Sequence, residues 1–436
     1  MRKVLGIVLA AIMLLAMVGC TTAPDAPPAN TGAGTGGEAE GEEKVIRIAC
    51  ESWHVTKVFL EHAAEAFEAD HPGVKVELQT YADQTVISNY AINWAAGNTP
   101  VDMVIIDGAE FCQQFVAKDL IYDWESELNI YDYISEDAFF PSAIESGRID
   151  GTLYCLPIMQ EIDVININTK LFKEAGLVDE NGEILTPTTW EEFHEFAQKM
   201  TVTDENGVVQ QQGAVIQWND DLPATVFGTL CALNGRLVGD DGITIDFDNE
   251  NFRETFEIWK EGVKDGSFSI ETFADTEAGR NGFKAGTVAM LIESSGRWVE
   301  GGNEFGMENV TVAPLPGEFH STHGYINGVF MPKCAENVEL CVQFVTEQIL
   351  GEYCQVNEMD QYGKLPAIVE YYEKTSDPRW LNILESFTNA ISTPKYREAG
   401  KLTEEMRAIV QEGLIGDEPA SVTTKALQDL VDGLEK

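Results

Sequence analysis

Three tryptophans stand at positions where a flat ring could contact a ligand. Trp53 follows the first predicted strand, Trp218 follows a later one, and Trp298 lies in a Gly-Arg-Trp segment. Open α/β sheets bind ligands at the carboxyl ends of their strands, and a flat ring can cover the apolar face of a ligand. We therefore predict that Trp53 and Trp218 contact a ligand, and Trp298 is a third candidate. A packed position in the core is the alternative for each of them.

Several carboxylate and amide side chains stand close to the same strand ends. The candidates for hydrogen bonding to a polar ligand are Glu51, Asp107, Glu110, Glu161, Gln217 and Asn219. Asp107 and Glu110 directly follow the apolar run 101–106, again at the carboxyl end of a predicted strand. A few such groups that converge in a concave site can orient a small polar ligand. The alternative for each is a loop side chain in water.

The sequence gives little support for catalysis or for a metal centre. Its 73 Asp and Glu residues make carboxylate pairs common by chance, so such pairs carry no signal for a glycosidase. The chain contains no Gly-x-Ser-x-Gly, His-Glu-x-x-His or Cys-x-x-Cys motif. His320 and His323 lie in a polar turn without a third ligand in view. We therefore expect no enzyme activity, no cofactor and no metal.

The chain is strongly acidic. Against 73 acidic residues stand 28 Lys and Arg, which gives a net charge of −45 at pH 7. A polyanion of this kind repels nucleic acid and anionic lipid headgroups. We therefore exclude nucleic acid as a partner, and attachment to a membrane would need a covalent lipid.

The N-terminus reads as an export signal. A basic start and an apolar run end at Gly19 and Cys20, and this run is too short to span a bilayer. The ending Met-Val-Gly-Cys resembles the bacterial lipobox, in which the cysteine becomes lipidated. We predict a signal peptide at 1–19, lipidation at Cys20, a flexible Pro-, Gly- and Glu-rich linker at 20–43, and a location on the outer face of the cytoplasmic membrane. An ordinary secretory signal is the alternative.

The remaining chain alternates between strand and helix patterns. The predicted strands are 44–49, 74–78, 101–106, 163–167, 214–216 and 288–292, and the predicted helices are 55–70, 89–97, 169–175, 190–200 and 252–263. This order favours a mainly parallel sheet that is covered by helices. Trp190 and Trp259 fall on the apolar faces of two of these helices and are predicted to be core residues. From Ala335 onward the pattern is almost entirely helical.

Short motifs occur in a characteristic order along residues 44–366. They include 67–76 (FEADHPGVKV), 151–157 (GTLYCLP), 168–177 (NTKLFKEAGL), 187–193 (PTTWEEF), 283–290 (FKAGTVAM), 296–298 (GRW) and 314–317 (PLPG). In order and spacing they resemble bacterial extracellular solute-binding protein family 1, the carbohydrate-binding components of ABC importers, a group that includes maltose-binding protein. Ile167 departs from the pattern, because a tyrosine is usual at that position.

This resemblance implies an α/β fold with two lobes, the type II periplasmic-binding-protein fold, with a ligand cleft between the lobes and a helical C-terminal tail. Carried onto this chain, lobe 1 comprises residues 44–158 plus 330–364, and lobe 2 comprises 163–325 plus 366–436. The chain would cross between the lobes near 158–162, 324–329 and 363–366. Glu161 would then lie on the first crossing, where it could touch both ligand and hinge. Binding would close the lobes by a hinge motion.

The resemblance also implies a function. The protein is expected to bind a sugar or an oligosaccharide and to deliver it to ABC transporter permease subunits, as a monomer that is tethered to the membrane by its lipid. Sugars pack their C–H faces on aromatic rings and bond through their hydroxyls to planar polar groups, which matches the candidates above. Trp298 is a candidate through this resemblance, because the tryptophan in the family's Gly-x-Trp segment often stacks on sugar. Two alternatives remain open. One is the same fold with a non-sugar solute such as a polyamine or an amino acid derivative, and the other is an exported glycan-acting enzyme.

Overall fold

The computed structural model describes residues 43–81 and 84–435. The predicted signal peptide, Cys20 and almost all of the predicted linker lie outside the described residues. Among the residues that are described, no helix is both long enough and apolar enough to cross a membrane.

The strands alternate with helices over most of the described chain. The strands are β1 (Lys44–Glu51), β2 (Val74–Tyr81), β3 (Met103–Asp107), β4 (Arg148–Ile149), β5 (Thr152–Leu153), β6 (Leu156–Asn168), β7 (Val202–Thr203), β8 (Val209–Ile216), β9 (Val288–Ser294), β10 (Val310–Ala313), β11 (Gly324–Phe330) and β12 (Leu365–Pro366). The helices up to β11 are α1 (Ser52–Lys57), α2 (Leu60–Asp70), α3 (Tyr90–Ala95), α4 (Gln113–Val116), α5 (Pro141–Gly147), α6 (Thr169–Glu174), α7 (Trp190–Met200), α8 (Leu222–Asn234), α9 (Glu250–Asp265), α10 (Thr276–Lys284) and α11 (Arg297–Phe305).

The last part of the chain is mostly helical, as predicted. Its helices are α12 (Val338–Phe344), α13 (Glu352–Tyr362), α14 (Val369–Tyr372), α15 (Leu384–Thr388), α16 (Ala399–Ile415) and α17 (Ala420–Asp432). α16 and α17 pack their buried leucine, valine and methionine side chains into the same core cluster as α7 and α9. The tail therefore completes the core that surrounds β8 and β9.

One sheet runs through the described residues in the order β2-β1-β3-β11-β6-β9-β8-β7, with β10 and β12 also paired to β6. β1 runs parallel to β2 and β3, and β8 runs parallel to β9. β11 and β6 lie between these two groups and are antiparallel to β3, to each other and to β9. The prediction of a mainly parallel sheet is therefore wrong for the middle of the sheet, because these two strands carry the chain between the groups.

β6 is the longest strand and joins both groups. Its first half pairs with β11 and its second half pairs with β9 and β10. All thirteen of its residues are buried, so it lacks the alternation of a half-exposed strand. The predicted strand at 163–167 captured only the second half.

The predicted crossings fall on elements of this central region. Residues 158–162 lie within β6, 324–329 lie within β11, and 363–366 lead into β12, which pairs with β6. Gly363 adopts φ +64°, and a Cβ atom at this position would lie 2.5 Å from the Cα of Gly296. A side chain at either glycine would separate the two segments, so their close contact requires that both lack one.

One predicted helix is interrupted. The prediction of a single helix over 55–70 is wrong, because α1 ends at Lys57 and α2 begins at Leu60. Phe59 has φ +55° and separates the two helices. A left-handed residue cannot continue a right-handed helix, so the chain changes direction directly after Trp53 and Lys57.

The prediction that Trp190 and Trp259 are core residues is confirmed. Trp190 and Trp259 are buried and pack edge to face with ring centroids 5.2 Å apart. The seven cysteines among the described residues are free, and all of them except Cys334 are buried. They therefore act as small apolar side chains in the core.

Candidate functional site

Strand register places a set of polar side chains on one face of the sheet where β3, β11, β6 and β9 meet. Asp107 lies opposite Asn327, Glu161 opposite Tyr325, and Asp163 opposite Ser294. Directly opposed residues share a face in an antiparallel pair, and so do alternate residues along one strand. We call this set the polar face: Asp107, Glu161, Asp163, Ser294, Tyr325 and Asn327.

A cavity of ≈ 450 Å³ is lined by part of the polar face. Trp53 and Tyr325 contribute its aromatic rings. Its charged lining residues are Lys57, Asp107, Glu161, Asp221, Glu277, Arg280, Lys284, Glu293, Arg297, Glu300 and Lys364. We call it the charged cavity.

A second cavity, of ≈ 300 Å³, adjoins the charged cavity. Asp107, Asp221 and Tyr325 line both cavities. These three residues therefore form the border between the two spaces. Together the cavities provide a volume within the range of small-molecule sites.

One hydrogen-bonded cluster connects the crossing strands to α1. Glu161 accepts a hydrogen bond from the ammonium of Lys364 and, at 3.3 Å, one from Asn327 Nδ2. Asn327 Oδ1 lies 2.8 Å from Nε2 of His54, whose ring stacks on Trp53 at 3.8 Å. Lys364 Nζ also lies 5.1 Å from the centre of the Trp53 ring, a cation–π contact. The cluster thus fixes the orientation of Trp53 at the cavity wall.

A second cluster surrounds the buried carboxylate of Glu293. Arg280 donates to it at 2.9 Å, Arg297 also pairs with it, and Gln217 donates at 2.8 Å. Arg280 further pairs with Asp221 at 2.6 Å. Two guanidinium groups therefore share one carboxylate that is 1% exposed.

An ion pair joins α1 to α11 at the charged cavity. Lys57, at the end of α1, lies 3.1 Å from Glu300 of α11, which also binds Arg297 at 2.8 Å. Burial by itself raises the pKa of Glu300, but Arg297 and Lys57 lower it to about 2. Glu300 is therefore charged at neutral pH.

The carboxylates at the centre of the site differ in their protonation behaviour. Burial, with the negative charge of Glu161 second, raises the pKa of Asp107 well above its usual range. Burial also raises the pKa of Glu161, but the Lys364 ammonium outweighs it and lowers the pKa below its usual value. Burial and the charges of Glu161, Asp163, Asp221 and Asp107 raise the pKa of Tyr325. The site therefore combines Glu161, which stays ionised, with Asp107, which readily takes a proton.

His54 makes the stability of this region depend on pH. Burial lowers the pKa of His54 to about 4, and the nearby Lys364 ammonium acts in the same direction, although Asn327 and Glu161 oppose it. The folded pKa lies below the unfolded value, so between pH 6.5 and about 4 the unfolded chain binds the proton and stability falls as the pH falls.

We expect His54→Gln to remove this pH dependence. Between pH 7 and pH 5, urea unfolding should show that the wild type loses about 2 kcal/mol more stability than the variant. Glutamine is neutral throughout this range and can still bond to Asn327. Equal losses in both proteins would contradict the assignment to His54.

The structure brings three of the sequence candidates together and places a fourth beside them. Trp53, Asp107 and Glu161 line the charged cavity, and Glu110 lines the adjoining one. Glu51 lies at the end of β1, where it accepts a hydrogen bond from Trp53 Nε1 at 2.7 Å. Contact of these residues with a ligand stays a prediction.

The other candidates lie outside the cavity lining. Trp218 and Trp298 are fully buried, with Trp218 against Trp259 and Trp298 against Trp380 and the guanidinium of Arg379. Gln217 is buried against Glu293, and Asn219 accepts a hydrogen bond from Arg407 at 2.9 Å. Their contact with a ligand also stays a prediction, and this burial offers it no support.

Sequence reasoning missed most of the charged lining. Lys57, Arg280, Arg297 and Lys364 come from helices and turns far apart in the chain, and no local pattern relates them. Tyr325 could have been found, because it lies inside the predicted crossing 324–329 and is an aromatic residue of the kind sought elsewhere.

Comparison with known proteins agrees with the family resemblance seen in the sequence. A family profile described as "Bacterial extracellular solute-binding protein" matches residues 62–380. A relative from Brucella abortus is 24% identical over 243 residues, 54% of this chain, and the chain spans about half the length (54%) of the curated relatives it matches.

Solved structures share the fold over nearly the whole chain. The GacH receptor of Streptomyces glaucescens, solved without ligand and with acarbose, has a TM-score of 0.71 at 18% identity and covers 90% of this chain and 100% of its own. The sugar-binding protein MalE of Xanthomonas citri has a TM-score of 0.73 at 17% identity, over 89% and 96%. The Listeria monocytogenes substrate-binding protein Lmo0181, in complex with cycloalternan, has a TM-score of 0.71 at 18% identity, over 90% and 98%. The fold is therefore that of the two-lobed periplasmic binding proteins.

Proposed function

The chain belongs to the bacterial extracellular solute-binding proteins, and we propose that it binds a sugar or an oligosaccharide in the charged cavity and delivers it to the permease of an ABC importer. The observation that carries this proposal is the joint presence of two aromatic rings, Trp53 and Tyr325, and several carboxylates in one cavity on the crossing strands. Two proteins with the same fold have been solved in complex with saccharides, the GacH receptor with acarbose and Lmo0181 with cycloalternan.

The cavity offers the interactions that a saccharide needs. Carboxylates accept hydrogen bonds from hydroxyl groups, and an aromatic ring covers the C–H face of a pyranose. A hydrogen bond to a charged group contributes about 1.5–3 kcal/mol, and micromolar affinity requires about 8 kcal/mol. Three or four such bonds and one ring contact are therefore sufficient.

The position of the cavity on the crossing strands supports a closing motion of the two proposed lobes. Lobe 1 (44–158 plus 330–364) and lobe 2 (163–325 plus 366–436) would move about the three crossings, so a ligand on the polar face would contact both. The Lys57–Glu300 pair at 3.1 Å joins residues from the two proposed lobes. It would help to hold the lobes together in the closed state.

The family and the N-terminal sequence support a proposal for the cellular location of the protein. Its family places the protein outside the cytoplasm. Within the proposal, Cys20 carries the lipid that tethers the protein to the membrane, a monomer meets the permease, and the protein catalyses no reaction. The residue types around the charged cavity serve binding and need no cofactor.

A thermal-shift screen of saccharides tests the proposed function. A ligand at 100 times its Kd should stabilise the full chain by about 2.7 kcal/mol. We expect saccharides of at least one type to raise the melting temperature. A shift with spermidine or amino acid derivatives and with no saccharide would contradict the proposal, and release of reducing sugar from a glycan would indicate an enzyme instead.

We expect Trp53→Ala to weaken saccharide binding about tenfold, because the ring forms part of the cavity wall. Isothermal titration calorimetry measures the effect. Tyr133→Ala is the matched control, since Tyr133 is 43% exposed and lines neither cavity. Unchanged affinity in Trp53→Ala, or an equal loss in both variants, would remove Trp53 from the site.

A further inference from the structure

We infer that the border between the two cavities is a subsite for a protonated amino group, so that the preferred ligand is an amino sugar or an oligosaccharide that carries free amines. This inference rests on the proposed function and narrows its ligand class. The subsite is formed by Asp107, Asp221 and Tyr325, which line both cavities, and by Glu161 and Ser294, which line the charged cavity.

The hydrogen-bonding groups of the subsite suit an ammonium better than a hydroxyl. Ionised carboxylates accept hydrogen bonds and donate none, and an ammonium beside Asp107 would favour its ionised form over the protonated form that burial favours. An ammonium has three donors and no acceptor, whereas a hydroxyl oxygen also needs a donor from the protein. Two cations of the charged cavity are engaged by its carboxylates: Lys364 pairs with Glu161, and Arg280 pairs with Asp221 and Glu293.

Buried polar atoms without a partner lie at the same place. Ser294 lines the charged cavity, is 4% exposed, and its Oγ has no hydrogen-bond partner among the described residues. Opposite it on β6, Asp163 is 1% exposed. One of its oxygens accepts a hydrogen bond from Thr225 at 2.7 Å, and Oδ1 has no partner among the described residues. Unsatisfied buried polar atoms are costly, and an ammonium in the charged cavity would offer a donor to Ser294, whereas Asp163 lines neither cavity.

The ring of Tyr325 adds a further attraction for a cation. The face of an aromatic ring attracts an ammonium within about 6 Å of its centre. Four carboxylates, of Asp107, Glu161, Asp163 and Asp221, act electrostatically on Tyr325. A positive group bound next to this ring would therefore be stabilised from several directions.

Matched disaccharides separate this inference from the proposed function. The β-1,4-linked disaccharides of glucosamine, N-acetylglucosamine and glucose differ only in the amine, acetamide or hydroxyl at C2. Isothermal titration calorimetry at pH 6 with the full chain compares all three, with spermidine as a fourth probe. We expect the glucosamine disaccharide to bind about 10- to 100-fold more tightly than the other two, with an affinity that falls as salt rises.

Two variants assign the preference to the border. Asp107→Asn is expected to lower affinity for the glucosamine disaccharide about tenfold or more and to leave the glucose disaccharide within about threefold. Ser294→Ala changes a single atom and should reduce the same preference by a smaller factor. Asp240→Asn is the charge-matched control, because the Asp240 side chain is 98% exposed. Thermal melting of each variant checks that it folds.

Each outcome bears on one of the two proposals. Equal or tighter binding of the acetylated or the hydroxyl disaccharide overturns the amine subsite and leaves the proposed function standing. An amine preference that persists in both Asp107→Asn and Ser294→Ala also overturns the assigned border. Binding of spermidine with none of the saccharides overturns the proposed function, and with it the assignment of the amine to a sugar. Binding of none of the four probes counts against both.

Discussion

Replacing Glu293 with glutamine is expected to lower the free energy of unfolding by about 3–5 kcal/mol. Glu293 is 1% exposed, and its carboxylate is the shared counterion of Arg280 and Arg297. Both guanidinium groups are themselves mostly buried, with side-chain exposures of 19% and 13%. Glutamine keeps the shape of the side chain but removes the one buried charge that both cations share, so that Arg280 keeps Asp221 and Glu277 as partners and Arg297 keeps Glu300. Urea or guanidinium unfolding at pH 7 measures the loss.

Glu277→Gln is the matched control for this prediction. Glu277 also binds Arg280, at 2.7 Å, but its side chain is 53% exposed. An ion pair that water can reach contributes only about 0–1 kcal/mol. We therefore expect a small effect at Glu277 and a large one at Glu293. Similar losses in the two variants would show that burial does not control the strength of this cluster.

Replacing Tyr325 with alanine is expected to reduce saccharide affinity about 100-fold, or about 2.7 kcal/mol. Tyr325 borders both cavities and lies on β11, one of the strands that link the two groups of the sheet. Its loss would remove the ring that a sugar covers and would join the two cavities into one wider space. Titration calorimetry with a saccharide from the thermal-shift screen measures the change.

Tyr325→Phe separates the ring from its hydroxyl. Phenylalanine keeps the aromatic face, so we expect its affinity to stay within about fivefold of the wild type. Circular dichroism and thermal melting show whether either variant disturbs β11. A loss of similar size in the phenylalanine variant would assign the effect to the hydroxyl, and no loss in the alanine variant would remove Tyr325 from the binding site.

Local patterns predicted those parts of the fold that depend on neighbouring residues in the chain. The prediction of helix 190–200 is confirmed, because its apolar spacing and the Thr189 cap are encoded within the segment itself: Thr189 Oγ1 accepts a hydrogen bond from the Glu192 amide at 3.2 Å. The family resemblance is also confirmed, since it depends on short motifs in a fixed order. The antiparallel middle of the sheet could not be predicted, because its two strands are far apart in the sequence. β11 begins more than 150 residues after the start of β6.

The same distinction applies to the candidate site. Asp107 was recognisable from its position at the end of an apolar strand, and it lies on the polar face. The burial of Trp298 could not be predicted, because Arg379 and Trp380, which cover it, arrive about eighty residues later. The ion pairs of Lys57 with Glu300 and of Lys364 with Glu161 likewise join distant segments. The charged character of the cavity is therefore a property of the tertiary structure.

The continuity of β6 limits how this protein can be divided into fragments for recombinant expression. A fragment that ends before residue 156 would contain β1, β2 and β3 but would lack β11, the strand that pairs with β3. The bare edge of β3 would then expose unpaired backbone N–H and C=O groups and favour aggregation. A break in the exposed Asp179–Gly182 turn would keep β6 whole, but it would also separate β3 from β11, so the two pieces would have to be expressed together.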